Sequence, residues 1–230
     1  MDILYLLFIV TFAFTLIVQF KVSSTFNKYA RGSAGVGRTG AEVARRILDA
    51  HGLFHVRIER VHGNLTDHYD PRSQVLRLSE SVYDHSSASA VGVAAHEVGH
   101  AIQHAECYAP IVLRSKLVPA VNFASRFSWI AIVLGTFFIY YAPTIGYYLT
   151  GVGVVLFAAT TLFHLVTLPC ELNASKRAMT ELELCGWYNS GELAASKKVL
   201  GAAAMTYVAA LAMSLIQLLR VLRIFMNRRD

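Results

Sequence analysis

The sequence predicts a mainly α-helical membrane protein with a polar α+β part, a short β-hairpin and three or four transmembrane helices. Its composition favours this class, because 55% of the 230 residues are hydrophobic and the mean hydropathy is +0.45, more than soluble domains normally show. Uncharged apolar runs of about the length needed to cross a bilayer recur along the chain. Between them, the polar stretches carry the patterns of helix caps, turns and strands.

The first apolar run, residues 3–20, predicts a transmembrane anchor. A cleaved signal peptide would need basic residues before the run and a small-residue cleavage site after it. Instead, Asp2 precedes the run and Lys21 follows it. An anchor is therefore the favoured interpretation.

The polar stretch that follows begins with a predicted packing helix at residues 41–52. Thr39 and Glu42 have the spacing of a capping box, and Gly52 supplies a stop signal. Apolar residues recur inside this segment at helical spacing.

Two short β-rich runs come next, HVRIERVHG at 55–63 and QVLRLSES at 74–81. The residues between them contain Asn, Asp and Pro, which form turns. The pattern predicts that the two runs pair as a two-stranded hairpin.

A second helix is predicted through AVGVAAHEVGHAIQH at 90–104, where small residues permit close packing. Ser86, Ser87 or Ser89 could provide its N-cap.

The composition changes beyond residue 115, where apolar runs at 127–141 and 145–168 are separated by only three residues. They predict a helical hairpin in the membrane. The first run is short for a full span, so its helix should begin earlier, with Arg126 reaching toward the headgroups. Pro169 is expected to end the second helix.

Residues 170–198 are polar again, whereas 199–219 predict either a further span or a buried helix. Basic residues after the first span place the polar part in the cytosol. The last basic cluster would then lie outside if 199–219 crosses and inside if it does not, and both alternatives stay open. The clusters are Lys21, Lys28, Arg31 and Arg38; Lys176, Arg177, Lys197 and Lys198; and Arg220, Arg223, Arg228 and Arg229.

The net charge of +6 points to anionic membrane lipids rather than to nucleic acid, because the basic residues sit beside apolar runs and are not interleaved with aromatic residues.

The three cysteines, Cys107, Cys170 and Cys185, form no paired framework and no CxxC spacing. A disulfide scaffold and a cysteine zinc site are therefore disfavoured, and reduced thiols fit a cytosolic location.

The segment His96-Glu97-Val98-Gly99-His100 carries the strongest chemical signal. Residues four apart on a helix share a face, so both imidazoles could bind one Zn²⁺ while Glu97 projects beside the metal. Zinc lowers the pKa of its water to about 7, and a neighbouring carboxylate can take the proton during attack on a peptide carbonyl. The motif therefore predicts a zinc metallopeptidase with Glu97 as the general base.

A catalytic zinc site needs a third protein ligand. His104 is excluded because it would stand about 12 Å along the helix from His96. The metzincin spacing requires a glycine and a histidine where this chain has Gln103 and Glu106, so that class is excluded as well. Glu171, just after Pro169, is the best-placed glutamate, although spacing alone makes a helix-dipole role as plausible. Its rivals are Glu181, Glu183 and Glu192.

Three blocks resemble the YugP-like bacterial membrane zinc metallopeptidases, which are similar in architecture to gluzincins. They are DHYDPRSQVLRLSESVY at 67–83, VGVAAHEVGHAIQHA at 91–105 and TLPCELNASKRA at 167–178. The resemblance implies that Glu171 is the third zinc ligand and that QVLRLSES is an edge strand near the active-site helix. An extended substrate could add to such an edge.

The chain departs from better-known relatives at two positions. Ser175 stands where an aspartate would support a histidine ligand, which puts a supporting role for Ser175 in doubt, and Cys170 replaces an aliphatic residue. His68 and Asp70 are interpreted as turn formers rather than substrate contacts. The candidates for stabilising an oxyanion are His164, Arg177 and Tyr188.

These patterns predict a membrane-bound, zinc-dependent endopeptidase of the bacterial inner membrane, with its active site facing the cytosol and with membrane or membrane-proximal proteins or peptides as substrates. The alternatives are a site-2-type intramembrane protease, which the absence of an Asp-Gly pair disfavours, and a non-catalytic zinc scaffold, which Glu97 disfavours. A regulatory subunit is compatible with the sequence, but no residue indicates one. The predicted segments are the anchor 1–20, the zincin-like cytosolic part 21–115, the membrane hairpin 116–169, the ligand-bearing helix 170–198, and the apolar helix with its basic tail 199–230.

Overall fold

The computed structural model describes residues 3–32, 34 and 37–226, which form a mainly α-helical membrane protein with a small β part. The chain divides into two compact units. The apolar-helix unit comprises the described residues of 1–17, 113–168 and 207–230, and the core unit comprises those of 18–112 and 169–206. The elements are α1 (Ile3–Tyr29), α2 (Gly40–Ala50), β1 (Arg57–Val61), β2 (His68–Asp70), β3 (Val75–Ser79), α3 (Glu80–Tyr83), α4 (Ala88–Ala105), α5 (Ala109–Phe138), α6 (Pro143–Cys185) and α7 (Ser190–Met226).

The core unit is organised around α2, α4 and the sheet. Both predicted helix starts are confirmed: Thr39 and Glu42 form the capping box of α2, and the Ser87 hydroxyl accepts the amide of Ala90 at the start of α4. The helix α2 ends at Ala50. Because one face of each helix is apolar, these faces bury a shared core. Its fully buried members include Ile47, Leu48, Leu76, Leu78, Val91, Ala94, Val98 and Ile102.

The three-stranded sheet has the order β1-β3-β2, which corrects the predicted hairpin. Both predicted strands exist, but β1 pairs with β3 in parallel, and the antiparallel partner of β3 is β2, inside the segment expected to be only a turn. The 62–74 connection is long enough for a crossover, which parallel pairing needs. The Asp67 carboxylate fixes this connection by accepting the backbone amide of Ser79 at 2.7 Å. The edge-strand prediction for QVLRLSES is also wrong, because β3 is central.

The helix α6 continues through Pro169, so the predicted helix end at this residue is wrong. Proline removes one backbone donor, but its fixed φ is compatible with a helix, and packing of the following turns can hold the chain helical. Here Cys170, Ala174 and Ala178 are completely buried. Glu171 therefore lies within a continuous 43-residue helix rather than in the first turn of a new one.

The apolar-helix unit contains parts of four helices that are long and apolar enough to span a membrane: α1, α5, α6 and α7. The helix α5 begins at Ala109, which confirms that the first run of the hairpin starts early. The guanidinium of Arg220 lies 4.2 Å from the centre of the Phe8 ring, and Phe225 stacks on Tyr147 at 4.6 Å. Within this unit the end of α7 thus meets the beginnings of α1 and α6. Residues 199–206 belong to the core unit, and both alternatives for 199–219 stay predictions. Arg228 and Arg229 lie outside the described residues.

Candidate metal centre

The helix α4 presents two imidazoles on one face. His96 and His100 are one turn apart, and their ring centres are 4.8 Å apart with the planes nearly perpendicular. His100 is buried and His96 is partly buried. Because the four-residue spacing matches one helical turn, the two rings converge without distortion of the helix.

Glu171 of α6 completes the cluster and is only 1% exposed. Its Oε2 lies 3.2 Å from Nε2 of His96 and 3.5 Å from Nε2 of His100. A buried carboxylate is costly unless cations or donors face it, so this arrangement indicates a charge-compensated site. Among the described residues, these three form the group of potential ligands whose donor atoms all lie within 4.8 Å of one another.

The donor set fits Zn²⁺. Zinc bonds to His nitrogen and carboxylate oxygen are about 2.0–2.2 Å long, so two ligand atoms of a tetrahedral ion are roughly 3.4 Å apart. The two Nε2-to-Oε2 distances, 3.2 and 3.5 Å, agree with that separation. Two histidines and one glutamate are also the set that leaves a fourth position open in catalytic zinc sites. His96, His100 and Glu171 are therefore the residues that would hold the ion.

Each histidine has a polar partner on its other ring nitrogen. Nδ1 of His96 is 3.2 Å from the hydroxyl of Ser175, and Nδ1 of His100 is 3.0 Å from Oε1 of Gln103. Such partners fix the orientation of a metal-binding imidazole. The doubt about Ser175 that followed from the sequence is thus corrected, because a serine at this position still reaches the ring.

Gly99 allows α4 and α6 to approach closely. A Cβ at this position would lie 2.8 Å from the carbonyl oxygen of Ala174, a backbone atom that cannot rotate away. The glycine sits between the two histidines, and Ala174 lies three residues after Glu171. This close backbone approach brings the donors of the two helices together.

Glu97 projects from the same turn of α4 and is half-buried. Burial raises the pKa of its carboxyl group to about 7, the charge of His96 opposes this shift, and the Glu171 carboxylate and Asp67 add to it. A pKa near neutrality suits a group that accepts a proton and later returns it. Glu97 is therefore well matched to the role of general base.

The rival glutamates have other partners. Glu181 pairs with His51 at 2.9 Å, and Glu192 caps the start of α7 by accepting the amide of Asn189. Glu183 is exposed. His104 lies against the ring of Tyr69 and does not join the cluster.

The other residues that the sequence singled out, two near the sheet and three oxyanion candidates, lie outside the cluster of three ligands. His68 and Asp70, expected to be turn formers, lie in strand β2. Asp70, the last residue of this strand, accepts hydrogen bonds from Arg72, Ser73 and Arg77, and the bond from the Ser73 hydroxyl lowers the pKa of Asp70 to about 2. Nδ1 of His68 lies within hydrogen-bond distance, 2.9 Å, of the carbonyl oxygen of Thr66. Among the oxyanion candidates, His164 belongs to the apolar-helix unit, and burial raises the pKa of the Tyr188 hydroxyl above its usual value. Arg177 donates to Asn173 and pairs with Glu106 at 2.6 Å.

Sequence reasoning missed the roles of Gly99, Gln103 and Asn173. In the sequence, Gln103 was used only as evidence against the metzincin class. Its position three residues after His100 nevertheless places both side chains on one face of the helix. That spacing was the available signal. Gly99 and Asn173 gave no signal for these roles, because the carbonyl that Gly99 approaches and the Gln103 amide that donates to Asn173 lie on the other helix.

Comparison with known proteins adds independent information. A family model described as "Putative neutral zinc metallopeptidase" matches residues 4–226. The chain is 50% identical over 216 residues to "Putative membrane protease YugP" of Bacillus subtilis (strain 168), a match that covers 92% of each chain. No solved structure matches the chain.

Proposed function

The chain belongs to the family described as "Putative neutral zinc metallopeptidase", and from that membership we propose that it is a membrane-bound, zinc-dependent endopeptidase. The observation that carries the proposal is the convergence of His96, His100 and Glu171 beside Glu97. A purely structural zinc site has no need for a carboxylate beside an open position. The presence of Glu97 therefore favours hydrolysis over a non-catalytic scaffold.

In this proposal the ligands and the base have separate tasks. His96, His100 and Glu171 bind zinc, which would supply Lewis acidity by lowering the pKa of a water molecule to about 7 and polarising a carbonyl. Glu97 accepts a proton from the attacking water and delivers it to the leaving amine nitrogen. Its place beside the ligands, in the same helical turn as His96 and His100, supports both transfers.

The proposed location is the bacterial inner membrane, with the site near the cytosolic surface. The basic residues that follow the first span support the cytosolic orientation, and the four apolar helices support the membrane location. Glu171 stands three residues after the apolar run that ends at Leu168, in the same helix α6. That position supports membrane or membrane-proximal proteins as substrates.

The proposal includes extended substrates that bind along an edge of the sheet, but this edge is not the strand β3 that the sequence suggested. Since β3 is central, a peptide could add only to the free edge of β1 or of β2. The edge of β2 is the better candidate, because Tyr69 in β2 lies against His104 of α4, the helix that carries the metal ligands.

The site-2-type alternative receives no support. That class requires the HExxH motif within a membrane-spanning helix, but α4 is absent from the four described helices that are apolar enough to span. Its caps and its packing against α2 place it in the core unit instead.

The decisive experiment is Glu97→Gln. The purified protein in detergent is given zinc and fluorescently labelled casein as an unstructured substrate. We expect hydrolysis to fall about 10²–10⁴-fold, because proton transfer by the carboxylate is lost. Zinc content measured by elemental analysis should stay at the parental level.

Glu183→Gln is the matched control, because Glu183 is an exposed glutamate of the same helix that carries Glu171. It should hydrolyse casein at the parental rate. Near-parental hydrolysis by the Glu97→Gln variant would contradict the proposed mechanism, and a parental protein that retains no zinc would contradict the metal site.

A further inference from the structure

Gln103 is a completely buried polar residue that touches both halves of the metal cluster. Its single carboxamide makes three contacts: Oε1 with Nδ1 of His100 at 3.0 Å, Nε2 with the carbonyl of Cys170 at 2.9 Å, and Nε2 with Oδ1 of Asn173 at 2.8 Å. An amide buried without partners would be destabilising, whereas here both of its ends are satisfied.

These contacts determine which way the amide points. The carbonyl oxygen of Cys170 can only accept a hydrogen bond, so the NH₂ group of Gln103 must face it. The oxygen of Gln103 must then face His100 and can only accept. Nδ1 of His100 therefore carries a hydrogen, and its Nε2, 3.5 Å from Glu171, is the nitrogen available to a metal.

The same amide holds the segment that carries the carboxylate ligand. Cys170 directly precedes Glu171, and Asn173 follows it by two residues. The two NH₂ hydrogen bonds thus fix the backbone before Glu171 and the side chain after it. Gln103 links the helix of the two imidazoles to the helix of the carboxylate.

We propose that Gln103 is the positioning residue of this centre: it selects the ring nitrogen that His100 offers to zinc and aligns Glu171 with the two histidines before the ion arrives. The inference rests on the proposed function only in taking zinc as the ion. It assigns Gln103 no contact with substrate.

Asn173 extends the arrangement to the surface. Its Oδ1 accepts from Gln103 and also from Nε of Arg177 at 2.8 Å, and Arg177 pairs with the exposed Glu106 at 2.6 Å. Only the oxygen of Asn173 takes part in these two bonds. An aspartate could therefore replace Asn173 in this role, whereas a leucine could not.

The test measures the affinity of the full-length protein for zinc by competition with a chelator. Gln103→Leu keeps most of the side-chain volume but removes both the acceptor and the donors. We expect its zinc dissociation constant to rise about 10–100-fold, as found when outer partners of metal ligands are removed. In the zinc-loaded protein labelled with ¹⁵N-histidine, the Nδ1–H resonance of His100 should be lost through fast exchange.

Ser196→Ala is the control for general loosening of the core unit. Ser196 is also buried, and its hydroxyl donates to the carbonyl of Ala88 at the opposite end of α4. This variant should keep the parental zinc affinity and the His100 resonance. A folded Gln103→Leu protein with zinc affinity within twofold of the parent and an intact resonance would overturn the proposal.

A second pair of variants decides the matter if Gln103→Leu does not fold. Asn173→Leu should weaken zinc binding, and Asn173→Asp should restore the parental affinity because its carboxylate accepts both hydrogen bonds. Equal affinities for the two variants would overturn the positioning role. If the parental protein itself binds no zinc, the proposed function fails instead, and the two failures are thereby distinguished.

Discussion

The two units use their polar side chains in different ways. In the apolar-helix unit, Thr11, Thr150 and Thr161 each donate to the backbone carbonyl four residues earlier in their own helix. In the core unit, the hydroxyl of Ser89 donates to the carbonyl of Phe26, 63 residues away, and that of Ser196 donates to Ala88, 108 residues away. These hydroxyls of the apolar-helix unit bond within one helix, whereas the core unit, besides local bonds such as that of Thr206 to Ala203, also uses hydroxyls to join distant elements.

The surroundings of the two units explain this difference. Helices in lipid must satisfy their polar groups internally, and they associate mainly by close packing of small residues. Gly135 and Gly153 serve this purpose, because a Cβ at each would overlap the neighbouring helix. A Cβ at Gly146 would overlap Ile139 in the turn between α5 and α6. A metal centre needs donors from separate elements in fixed positions, which cross-element hydrogen bonds provide. The comparison predicts that replacing a native polar side chain lowers stability or zinc affinity far more in the core unit than in the apolar-helix unit.

The largest effect of this kind is expected for Glu171→Ala. It removes one of three ligands and leaves the two histidines without the carboxylate that faces them, so zinc affinity should fall by more than the about 10–100-fold typical of outer partners. Elemental analysis after dialysis measures the retained zinc. Glu181→Ala, a glutamate ten residues later in α6 that pairs with His51, is the control and should keep its zinc. Full zinc occupancy in the Glu171→Ala protein would show that another residue is the third ligand.

A smaller effect should follow from Gly99→Ala. The added Cβ meets the carbonyl oxygen of Ala174 at 2.8 Å. Overpacking costs about 1–3 kcal/mol, which outweighs the gain of about 1 kcal/mol in helix propensity. We expect a lower thermal unfolding midpoint together with weaker zinc binding, because the two ligand-bearing helices are forced apart.

Gly201→Ala is the matched control for this substitution. Gly201 also lies within a helix of the core unit, but its added Cβ would meet no atom within 4 Å. Its midpoint should stay the same or rise. Equal unfolding midpoints and equal zinc affinities for Gly99→Ala and Gly201→Ala would contradict the idea that close packing at Gly99 brings the metal-binding side chains together.

The smallest effect is expected for Thr161→Val in the apolar-helix unit, compared with Ser196→Ala in the core unit. Thr161 loses only a hydrogen bond to its own helix, so the free energy of unfolding should change by less than about 0.6 kcal/mol, the mean for interhelical bonds in membranes. Ser196→Ala should cost about 1 kcal/mol. Thermal unfolding in detergent compares the two, and an equal or larger loss for Thr161→Val would break the contrast between the units.

The sequence was informative wherever the structure depends on local spacing. The capping box at Thr39 and the shared face of His96 and His100 both follow from positions within one or two helical turns, and both are present. The assignment of Glu171 came from resemblance, and the cluster geometry is compatible with it.

The errors concern interactions between distant segments. The parallel pairing of β1 with β3 depends on where the connection crosses, and alternation of apolar residues does not encode that. The continuation of α6 through Pro169 depends on the burial of the turn that follows. The role of Gln103 requires partners 67 and 70 residues later in the chain.

The strand order has a consequence for aggregation. β3, the most apolar of the three strands, is shielded on both sides, while the outer strands β1 and β2 are only five and three residues long. Short, charged outer strands are poor templates for long β-ladders between copies of a protein, although a few residues of an extended substrate can still pair with such an edge. Copies of the protein crowded in one membrane are thereby protected from joining through their sheets into β-linked assemblies.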